Sequence, residues 1–395
     1  MNSILSSFAK ASFFLWIFIL PFTCLYSQNQ YEPIDISQFY NSAHHWYDIN
    51  ADDNIIEPKK DQPRYKPNQI REIAENILLY QKNNGGWPKN YDMLAILNDE
   101  QKDSLLAAKN IFNTTFDNWT THPQVEYLAQ TFLQTRENKY QQACLKGIYF
   151  ILSVQYPNGG WPQYFPDTSG YRKYITFNDG VMAGIMTVLK NILEKEPQYS
   201  FVKDGSLKEI KEAYEKGLAC ILNCQIKSNG RLTAWGQQHD NIDLRPQWAR
   251  AFEPSAICNG ESVDVVLFLM SIENPSEKII NSVQSTVRWF EDSKIMGIRI
   301  ETKRVEPVEY RWSTISIDRV VVEDPEAKPI WTRYYELDTE RPLFCNRDSK
   351  VVYSLAEVHH ERRGGYTWYT YDPQTVLDKY PAWQNKWAPG KSVLK

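Results

Sequence analysis

A helix-like apolar run that ends in Gln and a Gly-Gly-Trp-Pro turn constrains this chain more than any other feature. Gln81-Lys82-Asn83-Asn84-Gly85-Gly86-Trp87-Pro88 closes one such run, in which Ile70, Ile73, Ile77 and Leu78 fall on one face. Gln155-Tyr156-Pro157-Asn158-Gly159-Gly160-Trp161-Pro162 closes a second. A third ends at Gln225, with Asn229-Gly230 and then Trp235 after it. The three Gln residues lie roughly 70 residues apart, room for two helices and two loops per unit. The glycine pair reads as a helix C-cap that needs positive φ, and the proline stops the helix from continuing.

Partner helices are expected between these endings. One covers about 122–134, where Val125, Leu128, Ala129 and Phe132 share a face. Another covers about 180–193, and a third, about 261–272, pairs with 277–291. Three helical hairpins preceded by a helix at 67–82 predict an all-α-dominated (α/α)3 toroid. Such units cannot bury their inner faces alone, so neighbours close around a common core. After Met296 the pattern becomes β-branched and rich in Pro, Asp and Gly, which predicts short strands and long loops across one end of the toroid.

The domain reading is a signal peptide at 1–27, a polar N-terminal arm without sustained periodicity at 28–64, and one catalytic domain at 65–395. Lys10 precedes an apolar run from Ala11 to Leu20, and Ser27 offers a small residue for cleavage, the pattern of an export signal. A secreted or periplasmic location is therefore expected, with no integral membrane segment after removal of the signal. Lipid attachment at Cys24 is disfavoured because Phe22-Thr23 fits a lipobox poorly. The five later cysteines are an odd number at sparse spacing, neither a disulfide framework nor a zinc site. A formal net charge of −4 gives no global basic field for nucleic acid. An aromatic content of 14%, with 13 Trp and 24 Tyr, suits carbohydrate handling as readily as core packing.

Three constellations carry candidate chemistry. Thr115-Phe116-Asp117-Asn118 and Thr176-Phe177-Asn178-Asp179-Gly180 each stand immediately before a helix, at equivalent positions of consecutive repeats. Helix capping is the plain explanation of Asp and Asn there; oxygen ligands from neighbouring hairpins would also suit a hard cation such as calcium. The third spans Trp331-Thr332-Arg333-Tyr334-Tyr335, Asn346-Arg347-Asp348 and His360-Glu361-Arg362-Arg363-Gly364-Gly365-Tyr366. Arginines among aromatics match a carboxylated sugar chain, since guanidinium forks pair with carboxylates and rings stack on sugar faces. Solvated ion pairs with Glu336, Asp338, Glu340, Asp348 or Glu361 are the alternative. His44-His45 and His359-His360 read as packing or hydrogen-bonding residues. There is no Gly-x-Ser-x-Gly, P-loop, His-Glu-x-x-His or Rossmann fingerprint. A glycosidase pair of carboxylates stays open on residue type alone.

Taken in order, these segments and Trp248-Ala249-Arg250-Ala251-Phe252-Glu253 resemble the family-10 pectate lyases from about Asn68 to Trp383. The resemblance implies the (α/α)3 toroid and calcium-assisted anti-β-elimination of α-1,4-polygalacturonate to 4,5-unsaturated oligogalacturonides. It implies that Asp117, Asn118 and Asp179 engage calcium, with Asp117 also catalytic. Arg347 is implied as the base, and Arg333, Arg362 and Arg250 as binders of substrate carboxylates. Trp119 and Tyr366 are expected beside them as sugar-binding rings, and the chain is expected to act as a monomer. An arginine base implies an alkaline optimum, because only a small neutral fraction serves. After Asp117-Asn118 the family commonly continues Gly-Ala-Thr, whereas this chain reads Trp119-Thr120-Thr121-His122-Pro123, which bears on subsites. A non-catalytic pectin-binding toroid is the alternative function. A terpenoid-cyclase-like toroid lacks its Asp-rich run here.

Overall fold

The computed structural model describes residues 31–49 and 54–394. The expected signal peptide at 1–27 lies outside the described residues. The described elements are mostly helical: α1 (Tyr40–Asp48), α2 (Ile70–Tyr80), α3 (Asp99–Ala107), α4 (His122–Thr135), α5 (Asn138–Ser153), α6 (Val181–Leu193), α7 (Asp204–Cys224), α8 (Asn259–Met270), α9 (Glu277–Ser293), α10 (His360–Gly365) and α11 (Pro373–Trp387). Hairpins α4/α5, α6/α7 and α8/α9 follow one another around the fold. α4, α6 and α8 form an inner tier, and α2, α5, α7 and α9 an outer one. α11 packs against α8 and α9. This is the expected helical toroid.

The repeated motif is what joins the units. The Gln81 amide donates to Gly85 O in its own turn and to Ala143 O of α5, both at 2.9 Å. Gln155 donates to Gly159 O (3.0 Å) and to Ala213 O of α7 (2.8 Å). Gln225 donates to Thr233 O (3.0 Å) and to Ser282 O of α9 (3.1 Å). Each glutamine thus pins its own turn to the next outer helix. The tryptophans fold back onto the helix before them, with Trp87 Nε1 on Ile77 O and Trp161 Nε1 on Ile151 O, each at 2.8 Å. Trp235 does the same on Ile221 O, and Trp331 on Phe290 O of α9, a fourth instance outside the motif.

The glycine pair does not cap a helix. The C-cap of α2 is Gln81 in an extended conformation. Only the first glycine has positive φ, +98° at Gly85 and +95° at Gly159. A Cβ there would lie 2.5 Å from Lys146 O or 2.0 Å from Lys216 O, so the turn approaches the next helix closer than a side chain allows.

Two other expectations need correction. The arm is not featureless: it contains α1, whose buried Ser42, Ala43 and Trp46 face inward behind the buried Phe39 that precedes the helix. Trp46 Nε1 bonds Ile56 O, and Ser42 Oγ accepts from Tyr91 N, so the helix is fastened to the body. Its Asn, His and Asp residues are poor helix formers and hide the period. The strands beyond Met296 are not all short either. Ile298–Glu309 and Thr314–Glu323 form an antiparallel hairpin of 12 and 10 residues. No helix among the described residues is long and apolar enough to cross a membrane.

Candidate active site

Short strand pairs lay consecutive repeats edge to edge at one end of the inner tier. Thr114–Thr115 pairs with Tyr164–Phe165, Ile175–Thr176 with Gln238–His239, and Ile257–Cys258 with Tyr334–Tyr335. Each pair is followed within a few residues by an acidic side chain: Asp117, Asp179 and, in the third repeat, Glu261. These loops border a cleft of about 570 Å3 lined by Asn118, Asp179, Arg250, Arg333, Arg347, Arg362 and Tyr366. Most of the residues expected from sequence therefore converge on one depression.

Helix capping does not explain the acidic loops. The N-caps of α4 and α6 are Thr121 and Gly180, and neither helix has a side-chain cap. Asn118 (φ 51°), Trp119 (54°), Thr121 (75°) and Asp179 (50°) all occupy the left-handed region, which is costly for residues with a Cβ. That backbone turns the polar side chains toward one another. Asn178 Nδ2 donates to Asp179 Oδ2 at 2.6 Å and reaches Asp117 Oδ1 at 3.5 Å. Asn118 N lies 3.4 Å from the same Asp179 oxygen.

Asp117 is buried and also accepts from Gln163 Nε2 at 2.8 Å, while Lys89 Nζ forms an ion pair with its other oxygen. Burial alone would raise its pKa, but Lys89 overrides that and holds the carboxyl well below its ordinary value. Asp179 goes the other way. Burial first, and then the negative charge of Asp117, push it well above the usual carboxylate range. Two buried carboxylates in one site cannot both ionise without a second cation.

The donors fit calcium. Asp117, Asp179 and the amide oxygen of Asn118 are hard oxygen ligands, two of them carboxylates, whereas the Asn178 oxygen is taken by Arg333. They are fewer than the 6–8 oxygens calcium takes, so substrate and water would complete the shell. Among the described residues no group of three or more His, Cys, Asp and Glu side chains is close enough to hold a metal without such help.

The opposite wall is cationic, and each guanidinium has a buried acid behind it. Arg250 forms a two-point pair with Glu253, whose carboxyl, despite burial, is held down at about 2 by that arginine. Arg333 donates to Glu261 Oε1 at 2.5 Å and to Asn178 Oδ1 at 3.2 Å, linking the acidic and basic walls. Arg347 holds Glu361 through two bonds of 2.8 and 2.6 Å, and Arg362 donates to the same carboxylate at 2.9 Å. The Phe252 ring lies within 4.6–5.0 Å of Arg250, Arg347 and Arg362, an aromatic hub for three cations. Tyr366 donates to Glu253 at 3.2 Å and lies under Arg333.

Of the surface acids offered as alternative partners, only Glu361 pairs with these arginines. Glu336 instead bonds Thr339 and Tyr353. Several contributors escaped the sequence reading. Lys89 directly follows the first Trp-Pro, Glu253 stands three residues after Arg250, and Glu261 takes the third repeat's place equivalent to Asp117 and Asp179. The repeat itself was the available signal for Glu261. His44 and His45, expected to pack or to hydrogen-bond, both line the cleft from α1. Trp119 does not line it; its ring lies against Gly180 and edge-on to His122.

A helical toroid whose inner rim gathers paired carboxylates opposite a bank of arginines defines a polysaccharide lyase. Comparison with known proteins agrees. The sequence profile described as pectic acid lyase matches residues 81–377. The family 10 polysaccharide lyase of Cellvibrio cellulosa, solved as a mutant in complex with trigalacturonic acid, is similar at 30% identity with a TM-score of 0.68. That alignment covers 78% of this chain and 92% of the other. A second structure of the Cellvibrio cellulosa enzyme gives 29% identity and 0.67 over 78% and 91%. No curated protein matches. This chain belongs to the pectic acid lyase family.

Proposed function

We propose that this protein is a secreted pectate lyase that cleaves α-1,4-linked galacturonate by calcium-assisted anti-β-elimination. The observation that carries the reading is the pairing of Asp117 and Asp179 across one rim from four arginines, a layout for a polyanion with a bridging cation. The solved relative was captured with trigalacturonic acid, which supports the same ligand class here. Asp117 Oδ1 and Asp179 Oδ2 both lie on the Asn178 amide, at 3.5 and 2.6 Å, so the two carboxylates face one point of the rim.

In this reading Arg333 and Arg362, both near the Tyr366 ring, hold uronate carboxylates. When bound, a calcium ion supplies positive charge beside the substrate carboxylate and so acidifies the neighbouring C5–H. Removal of that proton by a guanidine nitrogen leaves its electron pair to form the C4=C5 bond as C4–O4 breaks. The departing oxygen takes a proton from solvent. The resemblance implied Arg347 as the base. We favour Arg250 instead, because it is the arginine whose charge bears on both Asp117 and Asp179; each of the two arginines is paired with a carboxylate, Glu253 and Glu361, so that pairing does not separate them. Glu253 keeps Arg250 protonated in the free chain, so the rate is expected to climb with pH into the alkaline range.

Ultraviolet absorbance of the conjugated product during incubation with polygalacturonate, with calcium or with chelator, tests the activity. No product at alkaline pH with calcium present would refute it and leave the binding-protein alternative. For the base, Arg250→Lys is expected to lower kcat at least about a hundredfold with little change in KM. Arg347→Lys is expected mainly to raise KM. The reverse pattern returns the role to Arg347. Export is proposed from the sequence of residues 1–27 alone, and N-terminal sequencing of the exported protein checks it.

A further inference from the structure

The cleft does not end at the acidic loops. It shares Asn41 and His44 with a neighbouring cavity of about 480 Å3, bounded by Tyr40 and Trp119 as well. Both shared residues and Tyr40 belong to α1, which lies before the residues that match the family. The helix is firmly seated: Trp46 and Ser42 are bonded into the body, and Tyr47 donates to Asp92, itself held by Arg64. Its outward side is left to solvent, with Tyr40 74% exposed. Trp119, the residue that departs from the family pattern, directly follows the proposed cation ligand Asn118, and its half-buried ring faces the same cavity.

We propose that α1 and Trp119 build an outer sugar subsite that extends the cleft beyond Asn118, so that this enzyme gains from oligogalacturonides longer than three units. The proposal rests on the pectate lyase reading above. Its chemistry is that of sugar recognition: Tyr40 and Trp119 offer flat apolar faces for a pyranose ring, while the Asn41 amide and His44 imidazole offer partners for its hydroxyls. A subsite of this kind lies outside the reacting sugar. It acts by adding binding energy from a remote unit, which shows as chain-length dependence of kcat/KM.

The test compares trigalacturonate with hexagalacturonate for the full chain and for the double variant Tyr40→Ala/His44→Ala. Both side chains are largely exposed, so their truncation leaves the core intact, and the thermal midpoint confirms folding. The wild type is expected to prefer the hexamer, and the variant to reduce the hexamer-to-trimer ratio of kcat/KM by about tenfold, a change of about 1.4 kcal/mol. An unchanged ratio, or a wild type that does not distinguish the two lengths, overturns the subsite. Calorimetric binding of the same two ligands reads the ratio even without turnover. Absence of catalysis would then refute the lyase reading, while the affinity ratio still decides the subsite.

Discussion

At the scale of single residues the site is an exercise in charge compensation. Asp117 and Asp179 have the same chemistry and sit in equivalent loops, yet Lys89 stabilises one as an anion while the other is driven toward its neutral form. Lys89→Met removes the counter-ion and leaves Asp117 buried without a partner cation. The expected result is a fall in kcat/KM of about a hundredfold or more on polygalacturonate, read at saturating calcium. Sequence alone exposed Asp117, Asn118 and Asp179 because a Thr-Phe lead-in repeats before both. It exposed Arg333, Arg347 and Arg362 because they cluster with aromatics, while Arg250 entered only through the family resemblance. It did not expose Glu253 or Glu261, because carboxylates are common along the chain and nothing local distinguishes one behind an arginine from one in solvent.

At the scale of elements, glutamine carries the continuity of the fold. Gln155→Ala would leave Gly159 O and Ala213 O without the amide that bridges them. A loss of about 1–3 kcal/mol in stability is expected, seen as a lower denaturant midpoint with an unchanged slope. α8 offers a pH test. Burial, then Glu261 and Asp372, raise the Asp264 carboxyl from its ordinary value to about 7. The folded chain therefore prefers its protonated form. The stability this brings is full below about 4 and is lost as the pH rises through about 7. Asp264→Asn should flatten that decline, with a thermal midpoint that gains more at pH 8 than at pH 5, relative to wild type. The helices of the repeats were legible because their apolar stripes are long and regular. α1 was not, because its buried Ser42, Ala43 and Trp46 are set among helix-poor polar residues. The hairpin of Ile298–Glu309 and Thr314–Glu323 was underestimated for a related reason. It is largely exposed, and so carries no clean alternation between buried and polar sides.

At the scale of the whole molecule, repetition places the chemistry. Each hairpin contributes a short strand pair and then an acid at the inner rim, and the segment after α9 brings Arg333, Arg347 and Arg362 over the same end. The toroid was readable from the spacing of the Gln and Trp turns. The way its loops meet was not, since strand pairs of two residues leave no periodic trace. The central claim is elimination rather than hydrolysis, and it is tested most directly by digesting trigalacturonate with calcium in water labelled with heavy oxygen, followed by mass spectrometry. Elimination predicts an unsaturated uronate lacking the elements of water, with no label introduced by bond cleavage after correction for exchange at the reducing end. A saturated product pair carrying solvent oxygen at the cleaved bond would contradict the account.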